Sequence, residues 1–213
     1  MIKKPVDIVF IDWSGTLVND FKKVYSVGNR VREFFGYPTY NLEDKRMEIF
    51  NGGRCNAYLD MNVGLPEIDK KYIEFFEKSK LTSEPYPGVK TTLDELSRNG
   101  KRIIVVSQHM CRFLEKEARD FGIWDRFTEV RCKSPGRWVD KELEMRNMLR
   151  KYGVATTDAV FVTDIVNDLV RARNVNIDSI AACWGYMSKA VLQKHDPIGF
   201  IEKNFTELLD YIY

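Results

Sequence analysis

The sequence predicts an α/β fold: an open parallel sheet with helices on both faces and an inserted helical cap. Four short apolar runs are strand-like, and each is continuous rather than alternating, as expected for strands covered on both sides. They are DIVFI at 7–11, RIIVVS at 102–107, AVFVTD at 159–164 and SIAACW at 179–184. Amphipathic stretches separate the later runs, and a strand–helix–strand–helix order favours a parallel sheet.

Three of the predicted helices end at glycines. TTLDELSRNG, RFLEKEARDFG and KELEMRNMLRKYG close at Gly100, Gly122 and Gly153. Glycine is a common helix stop because it adopts the left-handed backbone conformation without a Cβ clash.

One long segment interrupts the alternation. Between Leu17 and Pro85 the sequence holds helical material only, in FKKVYSVGNRVREFFG, LEDKRMEIFNG and PEIDKKYIEFFEKSK. An insertion directly after the first strand lies above the strand ends, where ligands bind in open α/β sheets. We therefore expect a core formed by residues 1–17 and 86–213, with a helical cap at residues 18–85.

The charge and hydropathy of the chain argue against several classes of function. Its 213 residues include 33 basic and 31 acidic side chains, a net charge of +2. This balance gives no electrostatic basis for binding nucleic acid or a membrane surface. No stretch is apolar and long enough to span a bilayer, and MIKKPVDIVF leads into a strand rather than a secretory signal. We expect a cytoplasmic protein without a nucleic-acid or membrane partner.

The cysteines give no sign of a metal site. Cys55, Cys111, Cys132 and Cys183 lie far apart, without a C-x-x-C pair. Scattered thiols of a cytoplasmic protein are typically reduced. We therefore expect four free cysteines.

An aspartate stands at the tip of the first predicted strand, in IVFIDWSGTL. A carboxylate at the end of a buried strand is costly without a charged partner, so the position of Asp12 indicates a functional site. Gly15 permits a tight turn after it, in which successive amides can form an anion-binding concavity. Thr16 belongs to the same turn.

Two more carboxylates follow a later strand, in VFVTDIVND. Asp164 ends that strand, and Asp168 lies four residues on, on the same side of a first helical turn. Three carboxylates that converge at strand ends form a site for a hard cation, and Mg²⁺ is the obvious candidate. Ser107 ends another predicted strand and belongs to the same edge of the sheet.

These motifs, in this order, resemble the four motifs of the haloacid dehalogenase superfamily. They are Asp12-x-Ser14-Gly15-Thr16, Ser107 after an apolar strand, a lysine, and Asp164-x-x-x-Asp168. The match spans essentially the whole chain, and the helical insertion falls where this superfamily carries an α-helical C1-type cap. The resemblance is to its phosphoglycolate phosphatase and phosphonatase-like branch.

The resemblance implies a Mg²⁺-dependent hydrolase that acts on a small phosphorylated metabolite. Asp12 would be the nucleophile and form an aspartyl-phosphate, and Ser107 would bind a phosphoryl oxygen. The metal would be held by Asp12, Asp164, Asp168 and the backbone carbonyl of Ser14. Bound there, it would offset the repulsion between two anions, the nucleophile and the phosphate.

The third motif of the superfamily is a basic residue upstream of the metal aspartates, and two lysines qualify. Lys141 opens KELEMRNML at a suitable separation from Asp164. Lys133, in CKSPGR, is expected in a loop after another strand and is the alternative. We favour Lys141.

Ser14 departs from the family pattern. Most phosphatases of the family have a second aspartate at this position, which protonates the leaving group and then activates water. A hydroxyl is a poor acid near neutral pH, and such general acid–base help contributes about 10²–10⁴ in rate. We therefore expect a slow enzyme that keeps its metal site, because position 14 contributes only its backbone carbonyl.

Two other functions remain open. One is a non-catalytic, phosphate-binding or regulatory member of the superfamily, and the other is a phosphonatase-like enzyme that cleaves a C–P bond. Phosphonatase-like relatives carry D-W-A-G-T and use a cap lysine as a Schiff base. Lys45 is the nearest candidate here, although an exposed helix lysine is the favoured interpretation. Arg54, in the cap segment IFNGGRCNAYL, is either a cation that selects an anionic substrate or a surface arginine in a plain turn between helices.

Overall fold

A computed structural model describes residues 6–212 of the chain. Eight β-strands lie within these residues. These are β1 Ile8–Ile11, β2 Val18–Asn19, β3 Glu84–Pro85, β4 Arg102–Met110, β5 Glu129–Lys133, β6 Ala159–Thr163, β7 Asp178–Ala182 and β8 Gly199–Ile201. Six of them form one sheet in the order β5-β4-β1-β6-β7-β8, and every neighbouring pair runs parallel. The predicted open parallel sheet is confirmed.

Nine α-helices lie in the described residues. They are α1 Phe21–Phe34, α2 Leu42–Phe50, α3 Leu65–Glu77, α4 Val89–Arg98, α5 Cys111–Asp120, α6 Lys141–Tyr152, α7 Val166–Val175, α8 Lys189–Leu192 and α9 Leu209–Ile212. Between residues 6 and 212, no helix is both long enough and apolar enough to cross a membrane.

Both faces of the central strands are buried under helices, which explains their continuous apolar sequences. On one face Val9 and Ile11 of β1 pack with residues of α4 and α5. On the other face Ile8 and Phe10 pack with residues of α6 and α7. Burial of a large apolar side chain contributes roughly 1.5–3 kcal/mol, so the two faces together fix β1 at the centre of the fold.

The position of β1 also defines where a ligand binds. From β1 the sheet continues through β4 and β5 on one side and through β6, β7 and β8 on the other. Connections that leave neighbouring strands in opposite directions open a crevice at the carboxyl ends of those strands. That crevice lies at the ends of β1 and β6, where Asp12 and Asp164 follow in sequence.

Two strand predictions need correction. β4 extends through Met110, so Ser107 lies within the strand and not at its end. The strand is longer because its pairing with β5 shifts register after Val106 and resumes at Met110, opposite Lys133. Lys133 is therefore the last residue of β5 and not part of a loop.

Helices α1, α2 and α3 lie between the short strands β2 and β3. These strands pair antiparallel, with Val18 opposite Pro85 and Asn19 opposite Glu84. The chain therefore enters and leaves the helical segment through one small two-stranded sheet, separate from the six-stranded one. The division into a core and a cap at residues 18–85 stays a prediction, and residues 1–5 and 213 of the predicted core lie outside the described residues.

The expectation of four free cysteines is wrong for two of them. Cys111, the first residue of α5, forms a disulfide with Cys132 of β5 across a sequence separation of 21 residues. The two residues meet because α5 directly follows β4, whose last residue, Met110, pairs with Lys133. Cys55 and Cys183 are free.

Breaking this disulfide is expected to lower the free energy of unfolding by about 3 kcal/mol, because the bond closes a loop of intermediate length in the unfolded chain. Urea denaturation with and without a reductant measures the difference. A Cys55→Ser/Cys183→Ser variant keeps the disulfide and should respond to the reductant as the wild type does. An unfolding midpoint that is insensitive to reductant would contradict the prediction.

Candidate active site

Asp12 lies directly after β1, in the middle of the carboxyl edge of the sheet. Its Oδ1 accepts a hydrogen bond from the Trp13 N–H at 2.8 Å, and its Oδ2 lies 3.0 Å from the Lys141 Nζ. Burial raises the pKa of Asp12 to about 6, although the Lys141 ammonium acts in the opposite direction. The buried carboxylate therefore has the charged partner that its position requires.

Lys141 is held between two carboxylates at the start of α6. Its side chain is only 1% exposed, and its ammonium contacts Asp12 and donates a hydrogen bond to the Asp168 Oδ2. The Asp140 side chain caps the helix by accepting a hydrogen bond from the Leu143 N–H at 3.1 Å. This cap fixes the first turn of α6 and so aims Lys141 at Asp12.

Lys133, the alternative basic residue, has a different partner. Its Nζ lies 2.5 Å from Asp69 Oδ1 of α3 and 4.0 Å from the centre of the Trp138 ring. The other Asp69 oxygen accepts a hydrogen bond from the Gly136 N–H at 2.8 Å. The structure thus brings Lys141 to Asp12, whereas Lys133 joins β5 to the helical segment.

Asp164 and the turn after Asp12 pack directly against each other. The Asp164 Oδ1 accepts a hydrogen bond from the Thr16 hydroxyl at 2.7 Å, and its Oδ2 accepts one from the Tyr186 N–H at 2.7 Å. Gly15 has a φ of +76°, and a Cβ there would lie 2.1 Å from the Asp164 Oδ2. Glycine is therefore required at position 15 both for its backbone conformation and for this close approach.

Asp168 lies in the first turn of α7, and cations engage both of its oxygens. Lys141 donates to Oδ2, and the Arg171 guanidinium donates to Oδ1 at 2.7 Å. The Thr163 hydroxyl lies 3.3 Å from the same Oδ2. Asp168 therefore orients Lys141, and its predicted role as a metal ligand stays a prediction.

Ser107 and Ser14 supply hydroxyl groups to the site. The Ser107 Oγ accepts a hydrogen bond from the His109 N–H at 3.2 Å, at the irregularity in β4. The Ser14 hydroxyl donates to the Asp20 Oδ2 at 2.5 Å. Both serines line a cavity of about 800 Å³.

This cavity brings most of the predicted site together. The predicted residues that line it are Asp12, Ser14, Ser107, Lys133 and Lys141. Thr16, Asp164 and Asp168 are fully buried and contact this group through hydrogen bonds and Lys141. The helical segment contributes Arg54, Asn56, Tyr58 and Tyr72 to the lining of the same cavity.

Lys45 does not belong to the cavity lining. Its side chain on α2 is 5% exposed, and its Nζ lies 2.9 Å from the Glu48 Oε2. The expectation of an exposed helix lysine is therefore wrong, because Glu48 supplies the counter-charge that allows burial.

The oxygen atoms at and near Asp12 are of the chemical type that binds a magnesium ion. Within residues 6–212, no cluster of three or more His, Cys, Asp or Glu side chains is arranged as a complete metal site. Two neighbouring carboxylates, Asp12 and Asp164, nevertheless suit a cation. Burial and the negative charge of Asp12 raise the pKa of Asp164 to about 7. A divalent ion would relieve the repulsion between the two carboxylates. Asp12, Asp164 and the Ser14 carbonyl are hard oxygen donors of the type that Mg²⁺ prefers.

Glu117 of α5 is a residue of the site region that sequence analysis missed. It accepts hydrogen bonds from Lys23 at 2.9 Å, Ser83 at 3.0 Å and the Trp13 Nε1–H at 3.3 Å. The His109 Nε2 lies 3.4 Å away. Burial raises the pKa of Glu117, but the neighbouring His109 and the Lys23 ammonium, which donates a hydrogen bond to it, prevail and lower that pKa to about 2.

Replacing Glu117 with glutamine is expected to destabilise the protein in a pH-dependent way. A carboxyl group whose folded pKa lies near 2, against 4.5 for the free group, contributes about 3 kcal/mol above pH 4.5. This contribution is lost as the pH falls from 4.5 towards 2. Urea denaturation at several pH values should therefore show a difference between wild type and Glu117→Gln that shrinks in acid.

Glu115 on the same helix provides the matched control. It is exposed and pairs with Arg119 at 2.8 Å, so Glu115→Gln should change stability by less than about 1 kcal/mol. A constant difference between wild type and Glu117→Gln from pH 7 to pH 3 would refute the ionic role of Glu117.

Comparison with known proteins places this fold and site in a family. The model of the haloacid dehalogenase-like hydrolases matches residues 8–182. The chain belongs to the haloacid dehalogenase-like hydrolase family, as its motifs predict. The match includes the segments that carry Asp12, Ser107, Lys141 and Asp164.

Relatives in sequence include phosphoglycolate phosphatases. The enzyme of Vibrio cholerae is 25% identical over 224 residues, which cover 98% of this chain and 98% of the relative. The enzyme of Vibrio parahaemolyticus is 22% identical over 227 residues, covering 100% of this chain and 98% of the relative. The similarity extends over the full length of both proteins.

Solved structures share the fold. A predicted phosphatase from Clostridium acetobutylicum superposes with a TM-score of 0.82 at 18% sequence identity, covering 97% of this chain and 98% of that chain. The sheet and the helical segment therefore follow an architecture known from experiment.

Proposed function

We propose that the protein is a Mg²⁺-dependent phosphatase that hydrolyses a small phosphate monoester through an aspartyl-phosphate on Asp12. The observation that carries this proposal is the buried Asp12 carboxylate, 3.0 Å from the Lys141 ammonium and open to a cavity of about 800 Å³. A carboxylate held by a fixed cation at a strand end has the position and charge of a nucleophile.

The chain's own residues account for binding and orientation of the phosphate. Asp12, with a pKa of about 6, is mostly ionised at neutral pH and can attack phosphorus. Lys141 offsets the negative charge that gathers where the nucleophile and the phosphoryl group meet. Ser107 lines the same cavity and can donate its hydroxyl proton to a phosphoryl oxygen, because its Oγ accepts the His109 N–H.

Asp12, Asp164, Asp168 and the carbonyl of Ser14 would hold the magnesium ion. When bound, Mg²⁺ neutralises charge on the phosphoryl oxygens and lowers the repulsion that an anionic nucleophile meets.

The class of substrate follows from the relatives and from the cavity. Phosphoglycolate phosphatases match the chain over 98–100% of its length, and Arg54 lines the same cavity as Asp12. We therefore propose a small phosphorylated metabolite with an additional anionic group, for which phosphoglycolate is the first compound to test.

Phosphate release from p-nitrophenyl phosphate, acetyl phosphate and phosphoglycolate, with Mg²⁺ or with EDTA, tests the proposal. Hydrolysis that requires Mg²⁺ is the expected result. Activity that is unchanged in EDTA would refute the metal dependence. Absence of activity on all three compounds from a folded protein would refute the phosphatase assignment.

Ser14 supports a second candidate, a non-catalytic protein that binds phosphorylated ligands. Its hydroxyl cannot protonate an alkoxide leaving group at neutral pH. p-Nitrophenolate and acetate leave without a proton, so an enzyme should still hydrolyse their phosphate derivatives. A protein that only binds would retain phosphate affinity, measurable by calorimetry, without turnover.

A further inference from the structure

The geometry points to Asp20 as a positioning residue that fixes the hydroxyl of Ser14 as a hydrogen-bond acceptor towards the cavity. This inference rests on the proposed phosphatase function and explains how the site works with serine at position 14. It concerns orientation only, because Asp20 is not placed in contact with the substrate.

Asp20 precedes the first helix and stands at its N-cap position, where an aspartate usually caps the helix with its side chain. Here the side chain makes no such bond. Its carboxylate is 1% exposed and accepts hydrogen bonds from the Ser14 hydroxyl at 2.5 Å and from the Tyr186 hydroxyl at 2.9 Å. Asp20 therefore does not cap the helix with its side chain. Both of its carboxylate oxygens instead accept hydrogen bonds from residues that line the cavity.

The bond to Asp20 determines which way the Ser14 hydroxyl points. A serine hydroxyl has one proton and two lone pairs. Because the proton is directed to Asp20, the lone pairs remain available to a molecule in the cavity that Ser14 and Asp12 both line. Ser14 therefore presents an acceptor to the site, which is also what an ionised carboxylate would present there.

An acceptor at this place is useful in the second half of the proposed reaction. Water attacks phosphorus, the bond between phosphorus and the Asp12 oxygen breaks, and Asp12 leaves as a carboxylate. The product is dihydrogen phosphate, which carries both protons of the water. Ser14 accepts a hydrogen bond from the attacking water and so orients a lone pair of that water towards phosphorus. Misplacement of such a reactant costs up to about 10²-fold in rate.

Asp20→Asn tests this role, because it keeps the size of the side chain but has one acceptor oxygen for two hydroxyl donors. The leaving group of p-nitrophenyl phosphate needs no protonation, so formation of the aspartyl-phosphate releases a burst of nitrophenolate. Rapid-mixing measurements separate this burst from the steady-state rate, which reports hydrolysis of the intermediate. We expect Asp20→Asn to keep a burst equal to the enzyme concentration and to lower the steady-state rate by roughly 10- to 100-fold. Asp44→Asn, at the start of α2 and exposed, is the matched control and should behave as the wild type.

A double-mutant cycle separates positioning from a structural role. If Asp20 acts through Ser14, then Ser14→Ala alone lowers the steady-state rate, and adding Asp20→Asn lowers it no further. Rates that fall independently in the two variants, or an Asp20→Asn rate equal to that of the wild type, would overturn the inference. A wild type without turnover would instead refute the phosphatase function, and thermal melting identifies any variant that fails to fold.

Discussion

Asp12→Asn is expected to lower phosphate-ester hydrolysis by roughly 10³-fold or more, because an amide does not form the covalent intermediate. The substitution is nearly isosteric and removes one negative charge from a buried site. Lys141 keeps its second partner, Asp168, so the ammonium remains paired. Phosphate release under saturating Mg²⁺ measures the activity, and circular dichroism verifies the fold.

Asp7→Asn is the control for this prediction, since Asp7 directly precedes β1 at the opposite end and is exposed. It should leave hydrolysis unchanged. If Asp12→Asn retained more than a few per cent of wild-type activity, the nucleophile would have to be another residue.

Lys141→Met is expected to lower the free energy of unfolding by about 3–5 kcal/mol and to abolish hydrolysis. The ammonium is 1% exposed and pairs with Asp12 and Asp168, so its removal leaves the buried Asp12 carboxylate without a cation and Asp168 with Arg171 alone. Chemical denaturation and phosphate release measure the two effects. Lys141→Arg keeps the charge, and we expect it to lose less stability than Lys141→Met.

Lys133→Met separates the two candidate lysines. It leaves Asp69 buried without its cation, so this variant should also lose stability, but Asp12 keeps Lys141 beside it. We expect its turnover of p-nitrophenyl phosphate to fall far less than that of Lys141→Met. The opposite ranking would identify Lys133 as the basic residue that serves the phosphoryl group.

The central strands and the carboxylates that follow them can be predicted from the sequence for a simple physical reason. Strands buried on both faces must be apolar throughout, and the carboxyl ends of parallel strands lie at one edge. The choice of Lys141 over Lys133 as the basic residue rests on the family resemblance, and in the structure the Lys141 Nζ lies 3.0 Å from the Asp12 Oδ2.

Other features depend on contacts between distant segments and leave no local signal. Asp20 has the sequence signature of an ordinary helix N-cap, and only the fold shows its carboxylate turned towards Ser14. Glu117 resembles any polar residue of an amphipathic helix. β5 is only partly buried. In its sequence EVRCK, charged residues alternate with apolar ones, so the strand lacks the continuous apolar run that marks the central strands.

The pairing of Asn19 with Glu84 has a consequence for how such a chain can diverge. Residues that face each other across an antiparallel pair can be joined by a turn of two residues. A change in the length of the stretch between them therefore need not alter which residues pair in the parallel sheet, provided that the apolar contacts of Tyr25 and Ile49 with the core are kept. Residues of this stretch that line the cavity, such as Arg54 and Tyr58, can then vary while Asp12 and Lys141 stay in place.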